Sequence, residues 1–131
     1  MRKLFAFYVC MFFTLAGCGE TVTSPSPLNP SGIYTLSYTE QSGGTCGAQP
    51  GGTITITSVA SKFTWDEGGT QADFGSMTCT ADNCKGTVST YPSGAYVSYS
   101  VTITSTAMTG TQSITETGGC SSTYNVTGTK N

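Results

Sequence analysis

The chain contains no histidine among its 131 residues. This removes the usual proton acceptor of Ser-His and Cys-His nucleophilic sites and the commonest nitrogen ligand for metals. Charge is scarce as well, with only 9% of residues ionised and five cations in all. Arg2 and Lys3 stand at the start, and Lys62, Lys85 and Lys130 are scattered singly. Nucleic-acid binding needs clustered basic residues to neutralise phosphates, so that class is excluded. Long apolar runs are missing too. The longest, residues 4–15, is broken by Thr14 and covers about 12 residues, where a membrane-spanning helix needs about 20. Beyond it, no window repeats apolar residues at helical spacing, so a helical domain is not expected.

The beginning of the chain is nonetheless organised. Met1-Arg2-Lys3 gives a positive start, residues 4–15 form the apolar run, and small residues follow. That is the three-part layout of a secretory signal. Its last residues, Leu15-Ala16-Gly17-Cys18, resemble the lipobox of bacterial lipoproteins. The resemblance implies that residues 1–17 are a signal peptide removed by cleavage and that Cys18 becomes the acylated first residue. The partner so implied is a membrane, held through the lipid anchor; two or more chains bind durably, since each buried methylene contributes about 0.8 kcal/mol. In related lipoproteins an Asp after the cysteine favours inner-membrane retention; Gly19 stands here, which by that analogy implies the outer membrane of a bacterial envelope. Residues 18–30 follow as a tether rich in Pro, Ser and Thr, which at an extended rise of about 3.1 Å per residue reaches roughly 35–40 Å. With Arg2 and Lys3 removed, three lysines face seven acids, a mature net charge of −4.

Residues 31–131 are expected to form one domain of about 100 residues. Its composition is dominated by Thr, Ser and Gly, with aromatic residues spread along its length. Strand patterns recur between turn residues. Tyr34, Leu36 and Tyr38 alternate with Thr35, Ser37 and Thr39, and Ile54 and Ile56 alternate with threonines. Val97, Tyr99, Val101 and Ile103 form the clearest alternation, against serines and threonines. Phe63 and Trp65, Phe74 and Met77, residues 85–90, Ile114, and Tyr124 with Val126 mark the remaining segments. Phe74 and Met77 fall out of register across Gly75, which suggests a bulge. The expectation is all-β, about eight short antiparallel strands, in an up-and-down barrel or alternatively a two-sheet sandwich.

Four cysteines lie in this domain: Cys46, Cys79, Cys84 and Cys120. In an exported chain an even number reads as two disulfides with three possible connectivities. A zinc site is the rival reading, but the spacing is poor and no histidine assists, so no metal is expected. A closed eight-stranded meander would put the loop carrying Cys46 beside the loop carrying Cys120, at the seam between first and last strands. Cys79 and Cys84 would then close the fourth hairpin.

Candidate chemistry is thin. Asp66, Glu67 and Asp73 are the only local cluster of acids, and they sit around a glycine turn, an ordinary solvated arrangement. No catalytic residue and no cofactor are expected, and the chain is read as a non-enzyme. Ser31-Gly32-Ile33-Tyr34 resembles the Gly-x-Trp start of lipocalin-like barrels, with tyrosine in the tryptophan position and no arginine in the last strand. That resemblance implies a carrier of a small hydrophobic ligand, with Trp65 and Tyr99 lining its pocket. The chain as a whole is similar to the small, cysteine-stapled, threonine-rich bacterial lipoproteins of unassigned activity. The preferred expectation is a structural or interaction module at the envelope, meeting an envelope protein or polysaccharide, with the ligand carrier as the alternative.

Overall fold

A computed structural model describes residues 24–59, 62–66, 71–91 and 94–131. The lipidation candidate Cys18 and the signal segment lie outside the described residues. Eight strands run in chain order: β1 (Gly32–Glu40), β2 (Gly52–Val59), β3 (Lys62–Asp66), β4 (Gln71–Cys79), β5 (Cys84–Thr90), β6 (Ala95–Ile103), β7 (Ala107–Glu116) and β8 (Ser121–Lys130). Each pairs antiparallel with the next, and β8 returns to β1, so the sheet closes as an up-and-down barrel and the sandwich is set aside. The closing ladder runs from Tyr34 opposite Lys130 to Glu40 opposite Tyr124. The bulge expected at Gly75 is present as a register shift between Phe74 and Ser76.

Alternation explains why these segments close rather than lie flat. In a strand successive side chains point to opposite faces, so an apolar/hydroxyl pattern gives one dry and one wet face. Tyr34, Leu36, Ile54, Ile56, Trp65, Val88, Val97, Tyr99, Val101, Ile103, Met108, Ile114, Tyr124 and Val126 are all buried in one contiguous cluster. The threonines and serines between them, such as Thr35, Ser37, Thr55, Thr87, Ser100, Thr109 and Thr127, are exposed on the outer surface. A transmembrane barrel carries its apolar band outward; here the outward face bears hydroxyls. Among the described residues no helix is long and apolar enough to cross a membrane.

Large rings inside a narrow barrel need small residues opposite them. Gly86, Gly110 and Gly128 occupy inward positions within β5, β7 and β8. A Cβ at Gly110 would overlap the carbonyl oxygen of Ser100, and one at Gly128 would come within 2.6 Å of Leu36 Cδ2. Elsewhere in the interior Trp65 packs on Tyr99 with ring centroids 4.4 Å apart, and Tyr38 meets Tyr124 edge-on at 6.5 Å. Such pairs add about 0.5–1.5 kcal/mol beyond their burial.

Both disulfides expected from the seam argument are formed, Cys46 with Cys120 and Cys79 with Cys84. The long one ties the β1–β2 loop to the β7–β8 loop across the seam. The lower end of the barrel is closed by chain that precedes β1. Leu28 donates its N–H to the Thr80 carbonyl at 2.6 Å and packs against the core, and Pro30 is buried. The Tyr34 hydroxyl donates to the Pro30 carbonyl at 2.8 Å, and the Lys130 ammonium lies 5.7 Å over the Tyr34 ring. Contacts of the barrel therefore begin before Ser31.

The two staples differ in worth. In the chain-entropy account the Cys46–Cys120 loop stabilises by roughly 4–5 kcal/mol and the Cys79–Cys84 loop by about 2 kcal/mol. Urea unfolding of Cys46→Ser/Cys120→Ser and Cys79→Ser/Cys84→Ser double variants is expected to show losses in that order; equal losses would contradict the seam's weight. A second expectation concerns Tyr34. Burial pushes its hydroxyl above the ordinary value of 10.0. The neutral form is favoured in the folded state, so this contribution is complete below the ordinary value and is lost as pH rises through the raised one. Tyr34→Phe should cost about 1 kcal/mol near neutral pH through the lost bond to Pro30. The gap between variant and parent should then narrow in alkaline unfolding titrations.

Candidate functional site

Consecutive antiparallel connection makes the two ends of the barrel unlike. The lower end holds the chain entering β1 and is plugged by Leu28 and Pro30. At the upper end the β1–β2 connection is laid back along the start of β8. The Gln41 amide N–H donates to the Thr123 carbonyl at 2.8 Å, and the Thr45 N–H to the Ser121 carbonyl at 3.1 Å. Cys46 N–H donates to Ser122 Oγ at 2.8 Å, and that hydroxyl donates to Glu40 Oε1 at 2.6 Å. The Tyr124 hydroxyl donates to the Gly47 carbonyl at 2.6 Å. With the Cys46–Cys120 disulfide, these bonds fix the loop so that residues 49–52 form one rim of the barrel mouth.

Inside that rim lies an open cleft of about 380 Å³, lined by Tyr38, Gln49, Pro50, Gly51, Gly52, Thr53, Ile54, Tyr99 and Gln112. Its size is at the lower end of small-molecule sites, which run from about 300 to 1,000 Å³. No acid or lysine is among these lining residues. Gln112 is the unusual member. It is 5% exposed, on an inward position of β7 between Gly110 and Ile114. Its Nε2 donates to the Tyr99 hydroxyl at 2.5 Å, while Oε1 is buried with no hydrogen-bond partner. An unmet buried acceptor costs about 1–3 kcal/mol.

Of the two residues named by the lipocalin resemblance, Tyr99 lines the cleft, whereas Trp65 is buried behind it against the Tyr99 ring. The sequence reading missed Gln112 and Gly52. Gln112 stands among polar residues in the weakest alternation of the chain; the signal available was its shared parity with Met108 and Ile114. The acid cluster is only partly described: Asp66 closes β3, and Glu67 and the Asp73 side chain lie outside the described residues. Among the described residues no group of three or more His, Cys, Asp or Glu is placed to hold a metal ion. Set against known protein families, curated proteins and solved structures, the chain matches none.

A second surface feature lies near the same end. Tyr91 is 76% exposed, its ring centroid 4.9 Å from that of Tyr96 with the planes tilted by 48°, and the Tyr96 hydroxyl shares a hydrogen bond with Ser89 Oγ at 3.2 Å.

A cleft with Gln49 on its rim and Gln112 in its lining disfavours a purely apolar occupant, because such an occupant would take the rim's polar groups from water and leave the Gln112 amide still unmet. Titration of the protein with an apolar fluorophore, followed through emission of the single tryptophan Trp65, is expected to show no saturable binding at micromolar concentration. Saturable binding would favour the hydrophobic-ligand carrier.

Proposed function

We propose that this chain is a membrane-anchored lipoprotein of the bacterial cell envelope whose barrel acts as a structural or interaction module, without a catalytic step. The anchor is Cys18, after the Leu15-Ala16-Gly17-Cys18 sequence, and the outer membrane is its proposed seat. One observation carries the interaction part of this reading: the end reached by the tether is plugged, and the opposite end is open and stapled. Leu28 and Pro30 bind beneath the barrel, so chain coming from Cys18 arrives at the lower end. An anchor there turns the mouth, its disulfide-fixed rim and the Tyr91–Tyr96 pair away from the bilayer.

Two further features support the reading. The hydroxyl-covered exterior suits a domain held clear of lipid and surrounded by water or by polysaccharide. The cleft offers tyrosines and amides but no acid or base among its lining residues, which suits recognition more than proton transfer. The hydrophobic-carrier alternative draws on Tyr99 and Ile54 in the cleft, and Gln112 and Gln49 weigh against it.

The anchor is tested by mass spectrometry of the protein extracted from membranes. A thioether-linked diacylglycerol on Cys18 is the expected result, and Cys18→Ser should leave residues 1–17 uncleaved. An unmodified Cys18, or protein released from the membrane by salt alone, would remove the anchor from the proposal.

A further inference from the structure

Gln112 and Gly52 both cost the barrel stability, and both border the same cleft. Gln112 places a buried amide oxygen where it finds no partner. Gly52, the first residue of β2, lies opposite Leu36 in phase with Ile54 and Ile56; it is exposed at the cleft, and a Cβ there would meet no atom within 4 Å. Its φ is not positive, so no turn requires glycine at this place. Gly110 differs, because packing forbids any side chain at that position. A glycine in a strand is unfavourable by roughly 0.5–1 kcal/mol relative to a residue with a side chain, and nothing around Gly52 forbids one. A buried amide within β7 and an open glycine at the start of β2 meet at one cleft. Local rules are broken in this way where a site is kept open.

We infer that the barrel mouth is a binding site for a neutral saccharide. The lining holds no ionised group, so a charged ligand would be desolvated without compensation. Gln112 Oε1 has no donor within the barrel, and a sugar hydroxyl or acetamido N–H would supply one as the amide turns toward the cleft. The Tyr38 and Tyr99 rings with Ile54 give apolar surface for the C–H face of a sugar ring, while Gln49 on the rim and Gln112 on the floor address its hydroxyl edge. An apolar ligand would leave the amide unmet, and an anion would find no cation. Gly52 supplies the entrance. The inference deepens the interaction role of the open end proposed above, but it does not depend on lipidation at Cys18, so the two are tested separately.

The test uses the full chain, purified in a detergent without sugar groups, on an array of neutral and charged glycans. Titrations followed by Trp65 emission and by calorimetry use glucose, N-acetylglucosamine and their β-linked dimers. The expected result is saturable binding of neutral glycans. A preference for dimers identifies a polysaccharide segment, and equal binding of monomers identifies a free sugar. Gly52→Leu, which fills the entrance, and Gln112→Leu, which removes the acceptor, should each weaken binding roughly tenfold or more. Near-UV circular dichroism and urea midpoints check folding; if Gln112→Leu unfolds, Gly52→Leu carries the test alone, since its side chain enters empty space. Absence of saturable binding to any neutral glycan would overturn the inference, as would preference for anionic glycans. Unchanged binding in folded Gly52→Leu would also overturn it.

Discussion

Both edges of β1 are paired, one to β2 from Gly32 to Leu36 and the other to β8 from Tyr34 to Glu40. The second ladder turns a twisted meander into a barrel, and each other feature presupposes it. An open sheet with this alternation would expose a face of tyrosines, isoleucines and valines to water and leave two strand edges available for pairing with other chains. Closure buries that face against itself and removes the edges together. The seam is the contact most distant in sequence, so its loop-closure entropy is the largest that folding must offset. Cys46–Cys120 and the hydrogen bonds from the β1–β2 loop to β8 lie where that cost is met. Without them the sheet would still form its local hairpins, but the partnership of first and last strands would rest on one ladder.

The parts of this design that obey a period were visible in the sequence. Val97 to Ile103 alternates without a fault, and the structure buries Val97, Tyr99, Val101 and Ile103 as that alternation requires. The bulge at Gly75 was visible because it breaks the period, and the cysteine pairs followed once a closed meander was assumed. What did not show was the fitting of one side chain to another across the interior. Gly86, Gly110 and Gly128 fall inside strand segments, where a single glycine carries no sign of what it faces. Their role depends on Met77, Ser100 and Met108 on the strands paired to them and, for Gly128, on Leu36 across the seam. Gln112 was hidden for a similar reason. A polar residue in a polar strand carries no mark of burial until its neighbours on both sides are known.

Leu28 and Pro30 were assigned to a tether on composition, and proline-rich polar chain does prefer extended geometry. Extended geometry also suits docking, because a chain already straight loses little entropy when it lies across the barrel's lower end. Pro30 has no N–H to satisfy, and its carbonyl takes the Tyr34 hydroxyl that would otherwise be buried unmet. The plug and the first inward tyrosine thus complete one another. This frees the tether end from any need for a capping helix, such as many small barrels would require to cover an exposed core.

The two ends show opposite solutions to the same problem of ending a core. Below, Leu28, Pro30, Ile103 and Met108 complete the packing with side chains that carry no nitrogen or oxygen. Above, the core stops at Tyr99 and Gln112, and the space beyond is left open although the sequence had simple means to fill it. A leucine at position 52 and another at position 112 would bring apolar volume to the mouth. They would also remove an unmet acceptor and lower the flexibility of the unfolded chain. The rim, by contrast, is heavily reinforced by a disulfide and by the bonds of Cys46, Ser122 and Tyr124. A rigid rim around an unfilled centre holds cleft residues in place without a ligand to order them. Preorganisation of that kind would lower the ordering cost of binding, beside the stability that the same disulfide supplies.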